Sequence, residues 1–352
     1  MPGLGSTGGK FQISAGWRYA YADKSYFDNR VNHDFTRLWG PREQLSILDV
    51  TTQYRLNSRI RLVGTVPIVM NHFSLLLPPL GIGRGQRQGW GAAGIGDVSL
   101  YAQSFLLKPT EHPFENISLG IGIKAPTGYW GRHRIIPSET GSDFQSRAIY
   151  PPAIYPGDGG VGILFGYNLY KILRKPALLR GVTLYSTGLY LSNPRDTNGT
   201  PSIIESLGVP LTANFFNRVQ NSVADTYALS AGAAMPVPYT WKYKNLRGLR
   251  MRGSINWEGL RKYDLFGPHN GFRQPGYALA AAPGITYQIG RNLFIMEVPI
   301  VFNRHIDPGA TNLPGIPVVT KSGAVLPGPF NPARQMGLVA PASISLRYVR
   351  TL

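Results

Sequence analysis

The sequence predicts an all-β fold: a single transmembrane antiparallel β-barrel of about twelve strands, with short periplasmic turns and long extracellular loops. Three observations point there. Apolar residues recur at every second position in segment after segment, the period of a strand with two unlike faces. The connections between those segments alternate between short and long. Charged residues are only 15% of 352, well under the typical quarter for a soluble domain, and 42 Gly and 29 Pro interrupt every helical pattern.

The alternation is clearest in "SLGIGIKAPTG", Ser118–Gly128. Leu119, Ile121, Ile123 and Ala125 form one face, and Ser118, Gly120, Gly122 and Lys124 the other. A soluble strand would need a second layer over the apolar face. Lipid covers it equally well if the sheet closes on itself, because closure leaves no unpaired edge in hydrocarbon.

Taken in order, the strands begin with Lys10–Asp23, followed by Ile47–Leu56 and Ile60–Met70. Gly96–Leu107 with Ile117–Gly128, and Val161–Ile172 with Arg180–Ser192, make two further pairs. Thr226–Val237 with Leu249–Tyr263, Tyr277–Ile289 with Leu293–Asn303, and Gly337–Val349 complete the set. In Arg180–Ser192 both faces are half apolar, so the alternation leaves its register open. Short links fall at 57–59, 108–116, 173–179, 238–248 and 290–292; the long ones alternate with them. Trp17, Tyr19, Tyr21, Tyr54, Tyr185, Tyr190, Trp257, Tyr263, Tyr287, Phe302 and Tyr348 lie near strand ends, where interfacial aromatic girdles belong. Residues 1–9 are expected as a flexible N-terminal segment and 10–352 as the barrel. "MPGLGSTGGK" lacks the basic and apolar regions of a signal peptide.

No segment approaches eighteen consecutive apolar residues, so no helical span is expected. There is no cysteine, and the six histidines are placed singly in loops or links, which argues against a metal site, a cofactor or an enzyme. No Gly-x-Ser-x-Gly occurs for a barrel hydrolase, and "GIGRGQRQG" lacks the Gly-Lys-Ser/Thr of a phosphate loop.

The pair "GIGDVSLYAQSFLL…ISLGIGIKAPTGYWG" resembles an outer-membrane barrel family assigned to transport and to the meta-pathway of phenol degradation. Its hallmark opens one strand with Gly94-Ile95-Gly96-Asp97 and closes the next with Lys124-Ala125-Pro126-Thr127-Gly128. "GDGGVGILFGYNLYK" is similar to that family's following Gly-rich strand. The resemblance covers about eighty residues and implies passage of small, often aromatic or hydrophobic molecules. The chain departs from such barrels in ending "SLRYVRTL" rather than on an aromatic.

Net charge is +18. With the apolar alternation as register, the lumen is expected to carry Arg18, Asp49, Arg61, Asp97, Lys124, Arg252, Glu258 and Glu297, joined by Arg250 and Arg347. Charges of both signs on inner walls form ion-pair ladders, and an arginine excess favours anions. The short-turn windows hold fifteen Lys/Arg against two acids, Glu111 and Glu115. Arg55, Arg59, Lys171, Arg174, Lys175, Lys242, Lys244 and Arg247 belong to this basic periplasmic rim. It suits anionic lipid headgroups or an acidic periplasmic protein. Nucleic acid is not an expected partner, because the basic residues sit at strand ends and not on a helix or stacking platform.

The functional expectation is a narrow, anion-biased channel in the bacterial outer membrane, in contact with lipopolysaccharide and carrying small solutes. A closed barrel whose basic rim docks a partner is the alternative. One of the two apolar loops, "HFSLLLPPLGIG" or "PSIIESLGVPLTANFF", is expected to constrict or plug the pore.

Overall fold

The computed structural model describes residues 9–33, 36–37, 40–77, 86–131, 134–135, 147–148, 152–202, 220–237, 246–307, 318–319, 325–326 and 337–352. Twelve antiparallel strands close into one barrel. They are β1 (Phe11–Ala22), β2 (Arg42–Arg55), β3 (Ile60–Leu77) and β4 (Gln86–Ile95 continuing as Val98–Phe105). Next come β5 (Glu115–Ala125), β6 (Gly162–Ile172), β7 (Thr183–Ser192) and β8 (Thr226–Pro236). The last four are β9 (Leu249–Leu260), β10 (Gly276–Ile289), β11 (Asn292–Glu297 continuing as Ile300–Ile306) and β12 (Ser343–Thr351). Each strand pairs with its sequence neighbour, and β1 pairs with β12 from Gln12–Thr351 to Ala20–Ser343, so no edge remains.

Register decides which side chains meet lipid. On β5, Ile121 is 57% exposed on the outer surface, whereas Ser118 on the inner face is 0% exposed. The inner face is less polar than alternation suggests. Phe105, Tyr170, Tyr185 and Ala234 form one buried cluster on it, and Leu293, Ile295 and Val349 another. Tyr185 therefore does not join the lipid-facing girdle expected of it. Its register partner Tyr170 faces inward, and Thr183, Thr187, Leu189 and Leu191 share that face of β7. The open register of this strand is thus resolved with Leu189 and Leu191 inside and Leu184 outside.

Outside, aromatic rings do run side by side near the extracellular end. Tyr227 meets Trp257 edge-on at 5.4 Å, and Trp257 meets Tyr277 at 6.4 Å. Trp17 Nε1 donates to Ser46 Oγ at 3.0 Å on the same outer surface.

The expectation of a loop from His72 is corrected by β3. Asn71, Phe73 and Leu75 continue the inward alternation, and the strand pairs with Gln86–Ile95 as far as Leu77. Phe73, Leu75, Trp90 and Ala92 bury one another, and that burial is what extends the hairpin past the membrane. Residues 78–85 and 203–219, which include the rest of that run and most of the second apolar loop, lie outside the described residues. So do residues 1–8 of the N-terminal segment.

A second correction concerns His305, which stands on β11 and not in a loop. Its Nε2 lies 2.8 Å from Asp307 Oδ1, and its Nδ1 contacts Asp28, tying the loop after β1 to β11. Asp307 stands only two residues along the chain, a pairing that reading the histidines one by one missed.

Placing a cation among the lipid tails separates the two faces experimentally. Ile121→Arg should cost about 2–4 kcal/mol of unfolding free energy. Thr187→Arg on the inner face should cost much less. Urea titration of the barrel refolded in vesicles measures both.

Candidate functional site

The inner surface carries two charged constellations. The first is a belt halfway along the barrel. Arg18 Nη2 on β1 donates to Asp49 Oδ2 on β2 at 3.3 Å, and Arg252 Nη2 on β9 reaches Glu297 Oε1 on β11 at 2.8 Å. Arg252 also donates to Tyr185 Oη at 2.7 Å and lies 5.0 Å from the centre of that ring. Arg347 on β12 completes the belt, with Asp49, Arg18, Glu297 and Arg252 as its charged neighbours.

Glycines give these side chains room. A Cβ on Gly16 would lie 3.2 Å from Arg347 Nε, and one on Gly284 would lie 2.9 Å from Glu297 Cγ. Gly120, Gly122 and Gly166 do the same for Tyr101 on β4, whose ring would overlap a Cβ at Gly120. The Gly/Ser face read from β5 is therefore the seat of a tyrosine.

The second constellation involves the family hallmark. Asp97 stands where β4 is interrupted between its two halves, and Lys124 stands at the end of β5. Lys124 Nζ donates to Asp97 Oδ2 at 3.2 Å and to Asp158 Oδ1. Asp97 also accepts the Gly128 N–H at 3.0 Å and the Asp158 N–H at 3.2 Å. Thr127 ties the motif together, donating to Gly96 O at 2.8 Å and accepting from Val98 N at 2.9 Å. Burial pushes the Asp158 carboxyl above its ordinary range, and the Lys124 ammonium pulls in the other direction.

Asp158 belongs to the long connection between β5 and β6, so this ion-pair triad pins that connection to the barrel wall. The segment Pro152–Gly160 lies against the inner face of β3 and β4. Ile154 is fully buried with Phe73, Leu75, Trp90 and Ala92. Asn71 Nδ2 donates to Ala153 O and Ile154 O, each at 3.5 Å. Backbone meets backbone where Gly128 faces Gly157, since a Cβ on Gly128 would lie 2.6 Å from Gly157 N. The far end of the segment is held by the next connection: Arg195 Nη1 donates to Gly159 O at 2.5 Å.

That connection, between β7 and β8, is in turn tied to the one between β9 and β10. Arg273, 4% exposed, forks onto Asp264 at 2.6 and 2.7 Å and onto Ser222 Oγ at 2.5 Å. Asp225 accepts from Asn193 N, Tyr190 Oη and Leu265 N at 2.6–2.7 Å.

A cavity of about 650 Å³ lies on the other side of the interior, between the belt and the extracellular end. Arg18 and Glu297 lie at its belt end, Leu189, Leu191 and Ala228 on one wall, and Glu258 beside them. Arg61 faces inward nearer the periplasm, 4.7 Å above the Phe105 ring.

Of the rim residues, Arg55 ends β2 and Arg59 lies in the turn that Asn57 Oδ1 caps at 2.8 Å. Lys171 pairs with Glu115 at 3.1 Å, and Arg174 lies 4.6 Å above the Phe114 ring. Lys108 pairs with Glu111 at 2.8 Å, so both acids of the rim are held by lysines. Lys175 and Arg247 are exposed, and Lys242 and Lys244 lie outside the described residues. Sequence reasoning missed Asp158 and the buried Glu43, which lines the same cavity as Arg18.

No family model matches the chain, and no curated protein matches it. Among solved structures it is similar to an outer membrane channel from Pseudomonas putida F1. The TM-score is 0.56 at 11% identity, covering 98% of this chain and 96% of that one. The β domain of the Bordetella autotransporter BrkA aligns at TM-score 0.41 and 10% identity, covering 97% and 100%. A Pseudomonas aeruginosa FadL homologue aligns at 0.36 and 9%, covering 97% and 90%.

The chain has no cysteine, so a single introduced thiol reports on the pinned segment cleanly. Breaking a buried ion pair by removing one partner costs about 3–5 kcal/mol. Maleimide labelling of Ile154→Cys should therefore accelerate at least about tenfold when Lys124→Met is added. The closed barrel, its apolar outer band and its charged interior place the chain in a bacterial outer membrane, with the fold of an outer-membrane β-barrel.

Proposed function

We propose that this barrel is a channel for passive passage of small solutes, kept narrow by the segment Pro152–Gly160 and biased toward anions. We read it as a channel and not as an enzyme. The observation that carries the reading is the lumen cavity of about 650 Å³ ending on the charged belt. A barrel serving only as a structural wall has no need of a cavity of drug-like size with charges at one end.

The narrowness rests on how the interior is filled. Twelve strands enclose a lumen between the filled eight-stranded and the open sixteen-stranded cases. Here Tyr101, Phe105, Tyr170 and Tyr185 project inward, and the pinned segment takes up space against β3 and β4. The anion bias rests on the belt, where Arg18, Arg252 and Arg347 stand against Asp49 and Glu297. Arg61 and Arg250 add positive charge nearer the periplasm, and Arg250 Nη1 donates to Thr183 Oγ1 at 3.2 Å, with no acid as partner among the described residues. The resemblance of the Gly94–Asp97 and Lys124–Gly128 motifs to the transport family supports small aromatic or hydrophobic compounds as cargo. The basic rim suits the phospholipid headgroups of the inner leaflet.

The reversal potential across a planar bilayer under a KCl gradient tests this reading. Chloride should permeate faster than potassium, and Arg347→Gln should bring the ratio toward unity. Absence of current from folded protein would refute the channel, and cation preference would refute the bias.

A further inference from the structure

The cavity above the belt contains a carboxylate that nothing in the barrel wall uses. Glu43 is on the inner face of β2, opposite Ala22 of β1 and Phe73 of β3. It is 7% exposed, lines the cavity, and has no hydrogen-bond or ion-pair partner among the described residues. A buried ionised carboxylate is costly unless a cation or a proton neutralises it.

The other charges of the cavity do not serve Glu43. Arg18 is held by Asp49 at 3.3 Å, and Glu297 is held by Arg252 at 2.8 Å. Glu258 on β9 is a second cavity carboxylate without a partner among the described residues. Apolar patches flank each acid, Leu45 and Ile47 following Glu43 on the inner face of β2, and Leu189 and Leu191 two strands from Glu258 on β7. The free valences of the cavity are therefore negative, although the belt beneath it is rich in arginine.

We infer that this cavity is a binding site for small organic amines, with the ammonium on Glu43 and the apolar body against Leu45 and Ile47. Glu258 supplies a second anionic contact from the opposite side. A charge-assisted hydrogen bond in a desolvated site is about twice as strong as a neutral one, so the ammonium and not the hydrocarbon sets selectivity. The inference goes beyond the channel reading and concerns a binding site in the cavity, not the ions that the belt lets pass. It relies on that reading only in taking the cavity as reachable by solute.

Equilibrium binding tests it without requiring conduction. The full chain is refolded, reconstituted in phosphatidylcholine nanodiscs, and titrated with para-fluorobenzylammonium, para-fluorobenzyl alcohol and para-fluorobenzoate, followed by fluorine NMR. Empty nanodiscs give the lipid background, and heat-modifiable gel mobility checks the fold of each variant. The ammonium should bind about tenfold or more tightly than the alcohol or the benzoate. Glu43→Gln should abolish that preference, and Glu258→Gln should reduce it.

Equal binding of the three probes, no binding of the ammonium, or a preference that survives Glu43→Gln would each overturn the inference. A conducting barrel that fails this test loses the amine site and keeps the channel reading. A barrel that binds the ammonium and passes no current loses only the channel reading.

Discussion

The interior of this barrel is organised by one ammonium group. Lys124 Nζ holds Asp97 from the neighbouring strand and Asp158 from the connection that follows its own strand. Its side chain and that of Asp97 are only 8% and 10% exposed, so losing one partner costs far more than at a surface pair. Removing Lys124 leaves Asp97 and Asp158 facing each other without a counter-ion, which explains why three elements far apart in the chain keep a common arrangement. Once Asp158 is fixed, Gly157 must lie against Gly128 and Ile154 must enter the cluster of Phe73 and Trp90. The side of the interior that remains open is the cavity.

Glycine has a similar organising role on the inner wall. Gly16 and Gly284 leave space for Arg347, Glu297 and Arg252, and Gly120, Gly122 and Gly166 leave space for Tyr101. Each glycine is a gap matched to a particular large side chain. Interiors pack densely, so filling such a gap forces its neighbour off its rotamer. An alanine at Gly284 would therefore disturb the Arg252–Glu297 pair although it adds only one methyl group.

Much of the fold was legible because lipid imposes a strict rule. A lipid-facing strand must alternate, and Leu119, Ile121 and Ile123 do so plainly. The inner wall obeys no such rule, and there the sequence was harder to interpret. Leu189 and Leu191 look lipid-facing and point inward, because the cavity accepts apolar walls. Tyr185 looks like a girdle residue and is packed inside with Tyr170 and Arg252. The strand read from Ile60 stops at Met70, with "HFSLLLPPLGIG" beyond it as an apolar loop; the inward alternation of Asn71, Phe73 and Leu75 is the cue that carries it further. Of the triad, Asp97 and Lys124 could be paired from adjacent strands. Asp158 could not, since its partner depends on the path of a thirty-odd-residue connection. Glu43 is hidden for another reason: read from the sequence it falls in a long loop, where an acid needs no explanation, whereas on β2 it is buried inside the barrel.

The central claim is that the Lys124 triad holds a segment of chain in the path of solutes. Single-channel conductance of the wild type and of Lys124→Met in planar bilayers tests it most directly. The account predicts a small, steady conductance for the wild type and a larger, noisier one for the variant as Pro152–Gly160 leaves the inner wall. Equal conductance in the two, with both barrels folded, would contradict it.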